Sequence, residues 1–204
     1  MPKHIKIPLI LSLVTMLTSG LLMLSEHLTH EKIAQQKKLV LLDSLKQLIP
    51  PNLHDNDLIQ SSKTIHEPQL LGHREPQQLY IGRLKNHLSV VAIPVTSRLG
   101  YSGDIDIMVG ILSNGKMTTV KILEQHETPG LGDLILPTKS DWLLQFPAIS
   151  LDNISHQNWA VKRDGGHFDQ ITGATISPRA VVKAIKQALD YFKYHQLDFG
   201  VNND

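Results

Sequence analysis

Two stretches of alternating apolar and polar residues, Gly103 to Leu112 and Met117 to Glu124, flank the tripeptide Ser113-Asn114-Gly115. A period of two belongs to an extended strand, and an Asn-Gly pair supplies the left-handed backbone of a tight reversal. The chain is therefore committed to an antiparallel hairpin. Ile105, Ile107, Val109 and Ile111 fall on one face, with Asp104, Asp106 and Met108 on the other; Val120 and Ile122 point inward from the second strand. A second hairpin is expected from Leu79 to Leu84 and Leu88 to Val95 around Lys85-Asn86-His87. The apolar face needs a cover, and Pro178 to Tyr194 provides it: Val181, Ile185, Ala188, Leu189 and Phe192 form one stripe at helical spacing. A short helix is expected at Asp141 to Phe146 and a short strand at Asn158 to Lys162. The fold class is α+β, with a mainly antiparallel sheet and packed helices.

Ahead of the strands lies a different kind of segment. Ile7 to Leu24 carries no charge, and eighteen residues at ~1.5 Å rise span about 27 Å, close to the hydrocarbon thickness of a bilayer. The competing reading is a cleaved secretory signal, which needs small residues after the apolar run. The first alanine is Ala34, and Thr18-Ser19-Gly20 lies inside the run, so an uncleaved transmembrane anchor is the better reading. Lys3 and Lys6 favour a cytoplasmic N-terminus, although Lys32, Lys37 and Lys38 on the far side weaken that bias. The expected topology is a single pass in the cell inner membrane, with the C-terminal domain translocated to the periplasm. Glu26 to Ile49 repeats Ile33, Leu39, Leu42, Leu45 and Ile49 among charges and reads as a helix ended by Pro50-Pro51; the residues from Pro51 to Gln78 read as a polar connector. The expected division is 1–25 for cytoplasmic tip and anchor, 26–78 for helical stalk and connector, and 79–204 for the folded domain.

Composition removes several kinds of chemistry. A formal charge of +1 and no basic run longer than two residues argue against a nucleic-acid partner. The absence of cysteine excludes disulfides, thiolate metal sites, iron–sulfur ligation and a thiol nucleophile. The eleven histidines fall in no metal-ligand spacing and read as solvated surface residues, with only His167 close to a motif of interest. No Gly-x-Ser-x-Gly elbow is present, and Arg163-Asp164-Gly165-Gly166 is not followed by the Gly-Lys of a phosphate loop. No catalytic residue and no metal ligand is expected.

The remaining signal is the segment Asp169-Gln170-Ile171-Thr172-Gly173-Ala174-Thr175, followed by Ile176-Ser177-Pro178-Arg179. Ser177-Pro178 reads as a helix start, with Ser at the N-cap and Pro at the first helical position. Free N–H groups there, a small-residue turn and Arg179 suit a phosphate. Thr175 adds a hydroxyl to which a phosphate can be esterified. An ordinary turn and helix cap explains the same residues without any ligand.

Asp169 to Thr175 fits the Asp-x-x-(Ser/Thr)-Gly-Ala-Thr pattern of proteins that carry FMN covalently. Gly100-Tyr101-Ser102-Gly103, Glu127-Thr128-Pro129-Gly130-Leu131-Gly132-Asp133 and Trp159-Ala160-Val161 extend the likeness. With them the chain resembles the G subunit of the Rnf (Rsx) ion-translocating electron-transport complex, over its N-terminal anchor and roughly residues 75 to 195. It is similar, at greater distance, to the C subunit of the sodium-translocating NADH:quinone oxidoreductase. The resemblance implies that residues 79–204 form a covalent FMN-binding domain with a phosphoester to Thr175. Thr172, Gly173, Ala174, Ser177 and Arg179 would stand around the phosphate, and Thr128, Leu131 and Tyr101 near the isoalloxazine ring. Ser177 is a second possible acceptor. Asp169 would serve the attaching enzyme or cap the turn, and Trp142 and Trp159 would be core or rim. The implied partners are the other subunits of the membrane complex, a Mg²⁺-dependent flavin transferase that uses FAD, and the lipid bilayer. The implied role is a redox subunit carrying electrons, with ion movement in the partner subunits. The rival reading is a cofactor-free, membrane-tethered scaffold of the cell envelope.

Overall fold

The computed structural model describes residues 11–23 and 43–200. Residues 11–23 are helical and belong to a first unit; a second compact unit begins at Ser44. Among the described residues no helix is long and apolar enough to cross a membrane. The expected anchor, Ile7 to Leu24, extends past the described residues at both ends, and the expected stalk helix lies outside them as far as residue 42.

Five strands form one antiparallel meander in the order β1 (Lys63–Ile65), β2 (Gln77–Leu84), β3 (His87–Ser97), β4 (Ile105–Leu112) and β5 (Met117–Glu124). The β2–β3 reversal has two residues, Lys85 and Asn86, both at positive φ, and Leu84 pairs with His87 across it. In the β4–β5 turn Gly115 takes φ +80° and donates its N–H to Leu112 O at 2.8 Å. Both expected hairpins are present.

Ile105, Ile107, Val109 and Ile111 are fully buried beneath the helix Ile176–Tyr194, called here the long helix, whose buried stripe includes Val181, Ile185, Ala188, Leu189 and Phe192. The opposite face of the sheet is also covered in part. Leu45, Leu48 and Ile49 are buried, Thr118 donates its hydroxyl to Leu48 O at 2.8 Å, and Ile49 lies against Gly82. Gly110 is the point of closest approach, because a Cβ there would stand 2.1 Å from Thr118 Oγ1 and 2.8 Å from Leu48 O. Met108 on this face is accordingly buried rather than solvated. Residues 44–78, read from the sequence as stalk end and connector, thus pack into the same unit as the sheet and contribute β1 to its edge.

Beyond β5 the chain forms single 3-10 turns at Gly132–Ile135, Trp142–Gln145, His156–Asn158 and Lys162–Asp164. The short strand expected at Asn158 to Lys162 is not formed: Val161 makes only an isolated bridge to Phe168. Gly165 at φ +81° and the contact of Gly166 with Ala160 O turn the backbone back before a strand can extend. An aromatic cluster of Trp142, Phe146, Phe168 and Trp159 closes this end of the core, with neighbouring centroids 4.9 to 5.2 Å apart. Trp142 and Trp159 are therefore core residues, and Trp142 Nε1 donates to Asp169 O at 2.7 Å.

Candidate functional site

The long helix starts two residues earlier than Ser177 as cap would require. It runs from Ile176, with Thr175 at the N-cap, and no side chain caps it. The cause is visible in Thr175, whose φ −84° and ψ −21° are helical and not the extended backbone from which a cap hydroxyl reaches back to the N–H groups. The first-turn N–H groups have no intrahelical acceptors, and Thr175 Oγ1 makes no hydrogen bond among the described residues. Ser177, expected as the cap, is instead buried and donates its hydroxyl to Glu127 Oε2.

The loop before this helix start is held by the core. Phe168 and Ile171 are buried; Ala174 donates its N–H to Ile171 O at 3.1 Å, closing a turn in which Gly173 takes φ +83°. A side chain at position 173 would be strained there. Thr175 thus emerges from a fixed turn.

Opposite lies the loop Glu127–Asp133. Asp133 Oδ1 accepts from Gly130 N at 2.7 Å, and Thr128 O accepts from Leu131 N at 3.1 Å, so the loop is closed by its own groups. Gly132 brings it against the helix: a Cβ there would meet Ser177 Oγ at 2.6 Å and Glu127 Oε2 at 2.8 Å. Glu127, 4% exposed, also accepts from Ser102 N at 3.0 Å and Tyr101 N at 3.2 Å, which joins a third segment to the other two.

These three segments enclose a cleft of about 310 Å³ lined by Tyr101, Glu127, Thr128, Leu131, Gly132 and the run Gly173 to Ser177. Tyr101 (68% exposed), Leu131 (43%) and Ile176 (42%) are large apolar or aromatic side chains that water reaches, and all three converge on this one opening. Apolar walls around an uncapped helix N-terminus and a free threonine hydroxyl fit a flat aromatic group bearing a phosphate. On that observation the residues suit FMN.

Of the residues singled out in the sequence, the structure brings Thr175, Gly173, Ala174, Ser177, Thr128, Leu131 and Tyr101 to the cleft lining. Thr172 and Arg179 are not in it. Thr172 is exposed in the turn, and Arg179 forms a two-pronged ion pair with Asp164, at 2.6 Å for each contact. That pairing holds the Asp164 carboxyl below the ordinary carboxylate range. Asp169 also faces elsewhere, pairing with Lys162 Nζ at 2.5 Å. His167 is exposed and edge-on to Phe168, and among the described residues no group of three or more histidine or carboxylate side chains is placed to hold a metal ion.

Two residues escape the sequence reading. Glu127 stands in the Glu127–Asp133 motif without a role, and the one signal it offers is a carboxylate among glycines. His73 contradicts the expectation of surface histidines: it is fully buried, Nε2 donates to Pro94 O at 2.9 Å, and Nδ1 accepts from Glu67 N at 3.3 Å. Burial lowers its pKa below the usual 6.5.

Residues 100–190 match the FMN-binding domain family. The chain is 40% identical over 191 residues to the G subunit of the ion-translocating oxidoreductase complex of Aliivibrio fischeri, covering 94% of this chain and 91% of that one. It is likewise 40% identical over 188 residues to the protein of the same name from Vibrio cholerae serotype O1, with 92% and 90% covered. Among solved structures, NqrC of Shewanella oneidensis aligns over 74% of each chain with 18% identity and a TM-score of 0.48.

Proposed function

The chain belongs to the family of G subunits of ion-translocating oxidoreductase complexes, and we propose that it is the electron-carrying member of such a complex, with FMN esterified through its phosphate to Thr175. The observation that carries this reading is the unpartnered Thr175 hydroxyl at the uncapped start of the long helix, opening on the apolar cleft. FMN supplies one- and two-electron transfer at a potential tuned by its surroundings.

The chain's own groups have separate tasks. Thr175 offers the nucleophilic oxygen. A separate flavin transferase using FAD would join Oγ to the FMN phosphate with release of AMP, and this chain would supply only the hydroxyl. The helix N-terminus, equivalent to about half a positive charge, offsets the phosphate that remains. Gly173 and Ala174 leave room beside it, and Ser177 is removed from competition by its bond to Glu127. Leu131, Ile176 and Tyr101 line the cleft and would cover the faces of a ring, for whose edge the Thr128 hydroxyl would be a donor or acceptor. Thr172 and Arg179 stay outside the cleft, and Arg179 is committed to Asp164.

The uncharged run Ile7 to Leu24 anchors the chain in the inner membrane as a single pass, with the flavin domain in the periplasm. That run offers no charged group for an ion path, so ion movement resides in the partner subunits. The test is the full-length chain, co-expressed with a flavin transferase, as wild type and Thr175→Ala. Under ultraviolet light the denatured wild-type band fluoresces and the mutant band is dark. A mutant band as bright as wild type refutes attachment at Thr175.

A further inference from the structure

Glu127 is buried without a cationic partner: no ion pair among the described residues involves it. A buried carboxylate is costly unless its oxygens are hydrogen-bonded. Here Oε1 accepts from Ser102 N, and Oε2 accepts from both Tyr101 N and Ser177 Oγ. All three contacts are donors, so the side chain acts only as an acceptor, beside the positive end of the long helix. The glycines around it make the room. A Cβ on Gly100 would lie 2.8 Å from Oε1, and one on Gly132 the same distance from Oε2. Tyr101 and Ser102 are themselves exposed, and their N–H groups have no other partner among the described residues.

We propose that Glu127 is a positioning residue: its carboxylate latches the Tyr101 loop to the first turn of the long helix and so fixes the width of the cleft between Tyr101 and Thr175. The consequence for a bound flavin rests on the function proposed above; the latch itself does not. Glu127→Gln keeps the shape but turns one acceptor into a donor facing a donor, which opens the contact.

The test has two arms, both on the full-length chain. In chain made without a flavin transferase, amide hydrogen exchange at Tyr101 and Ser102 is expected to be about tenfold faster in Glu127→Gln than in wild type, as for loss of a charge-assisted hydrogen bond. The β3 and β4 amides are expected to be unchanged. Equal exchange at Tyr101 and Ser102 overturns the latch. If the β3 and β4 amides show that Glu127→Gln has unfolded, Glu127→Asp decides by the same readout, since it keeps the charge but draws the carboxylate back from the Tyr101 and Ser102 amides; faster loop exchange supports the latch and unchanged exchange overturns it. In chain co-expressed with the transferase, Glu127→Gln is expected to retain the flavin mass on Thr175 but to lose amplitude in the flavin's visible circular dichroism, a signal of a ring held in fixed surroundings. Unchanged dichroism overturns the role in cleft width. A wild-type chain without the mass increment contradicts the flavin reading and leaves the exchange result standing.

Discussion

Replacing Phe168 with alanine tests whether the loop before the long helix is held by the core in the way its packing implies. The ring is fully buried, stacked on Phe146 at 4.9 Å and tilted against Trp159 at 5.1 Å. Its backbone contacts, Lys162 N to Phe168 O at 2.6 Å and Phe168 N to Ala160 O at 3.1 Å, survive the substitution, so the loss is that of the side chain. Phe→Ala in a core costs roughly 3–5 kcal/mol, of which aromatic pairing supplies about 0.5–1.5. Against a domain stability of about 5–15 kcal/mol this is a large fraction. At roughly 2–4 °C per kcal/mol for a chain of this size, Tm falls by about 6 to 20 °C. Both tryptophans of the chain belong to this cluster, so their fluorescence during urea or thermal unfolding reports it directly. Phe168→Leu, which fills most of the space, is expected to cost less. A loss below about 1 kcal/mol for Phe168→Ala would refute the claim that this ring clamps the loop.

Two further outcomes follow from the same geometry. His73 is buried neutral with a lowered pKa, so the unfolded chain binds a proton that the folded chain refuses. Stability is therefore full above 6.5, the ordinary histidine value, and is lost as pH falls below it; denaturant midpoints at several pH values check this, and His73→Gln is expected to flatten the dependence. Arg179→Ala is expected to leave the flavin mass increment unchanged, because that guanidinium is paired with Asp164 outside the cleft; intact-protein mass spectrometry decides, and loss of the increment would bring Arg179 back into the phosphate site.

The parts of the fold that the sequence made legible are those where a local period and a burial requirement coincide. Ile105 to Ile111 alternate because one face meets the long helix, and the Val181 to Phe192 stripe is the other half of that contact. Reversals were readable where Asn or Gly supplies positive φ, as at Asn86 and Gly115. Long-range packing left no such trace. Nothing local in Leu45, Leu48 and Ile49 says that they cover the outer face of the sheet instead of continuing a stalk, and the small residues that admit them, Gly82 and Gly110, lie far along the chain. The helix start was displaced for a similar reason: Ser177 has the chemistry of a cap, but a buried carboxylate fifty residues away claims its hydroxyl. Of the cleft, Thr175, Gly173, Ala174, Leu131, Thr128 and Tyr101 could be gathered from motifs, whereas the role of Glu127 exists only once three loops have met.

The most direct measurement is peptide mapping of the full-length protein purified from its native cells. The peptide containing Thr175 is expected to be heavier by one FMN less one water, with fragmentation placing the addition on that threonine. An unmodified Thr175 in material whose electron transfer is intact would contradict the assignment.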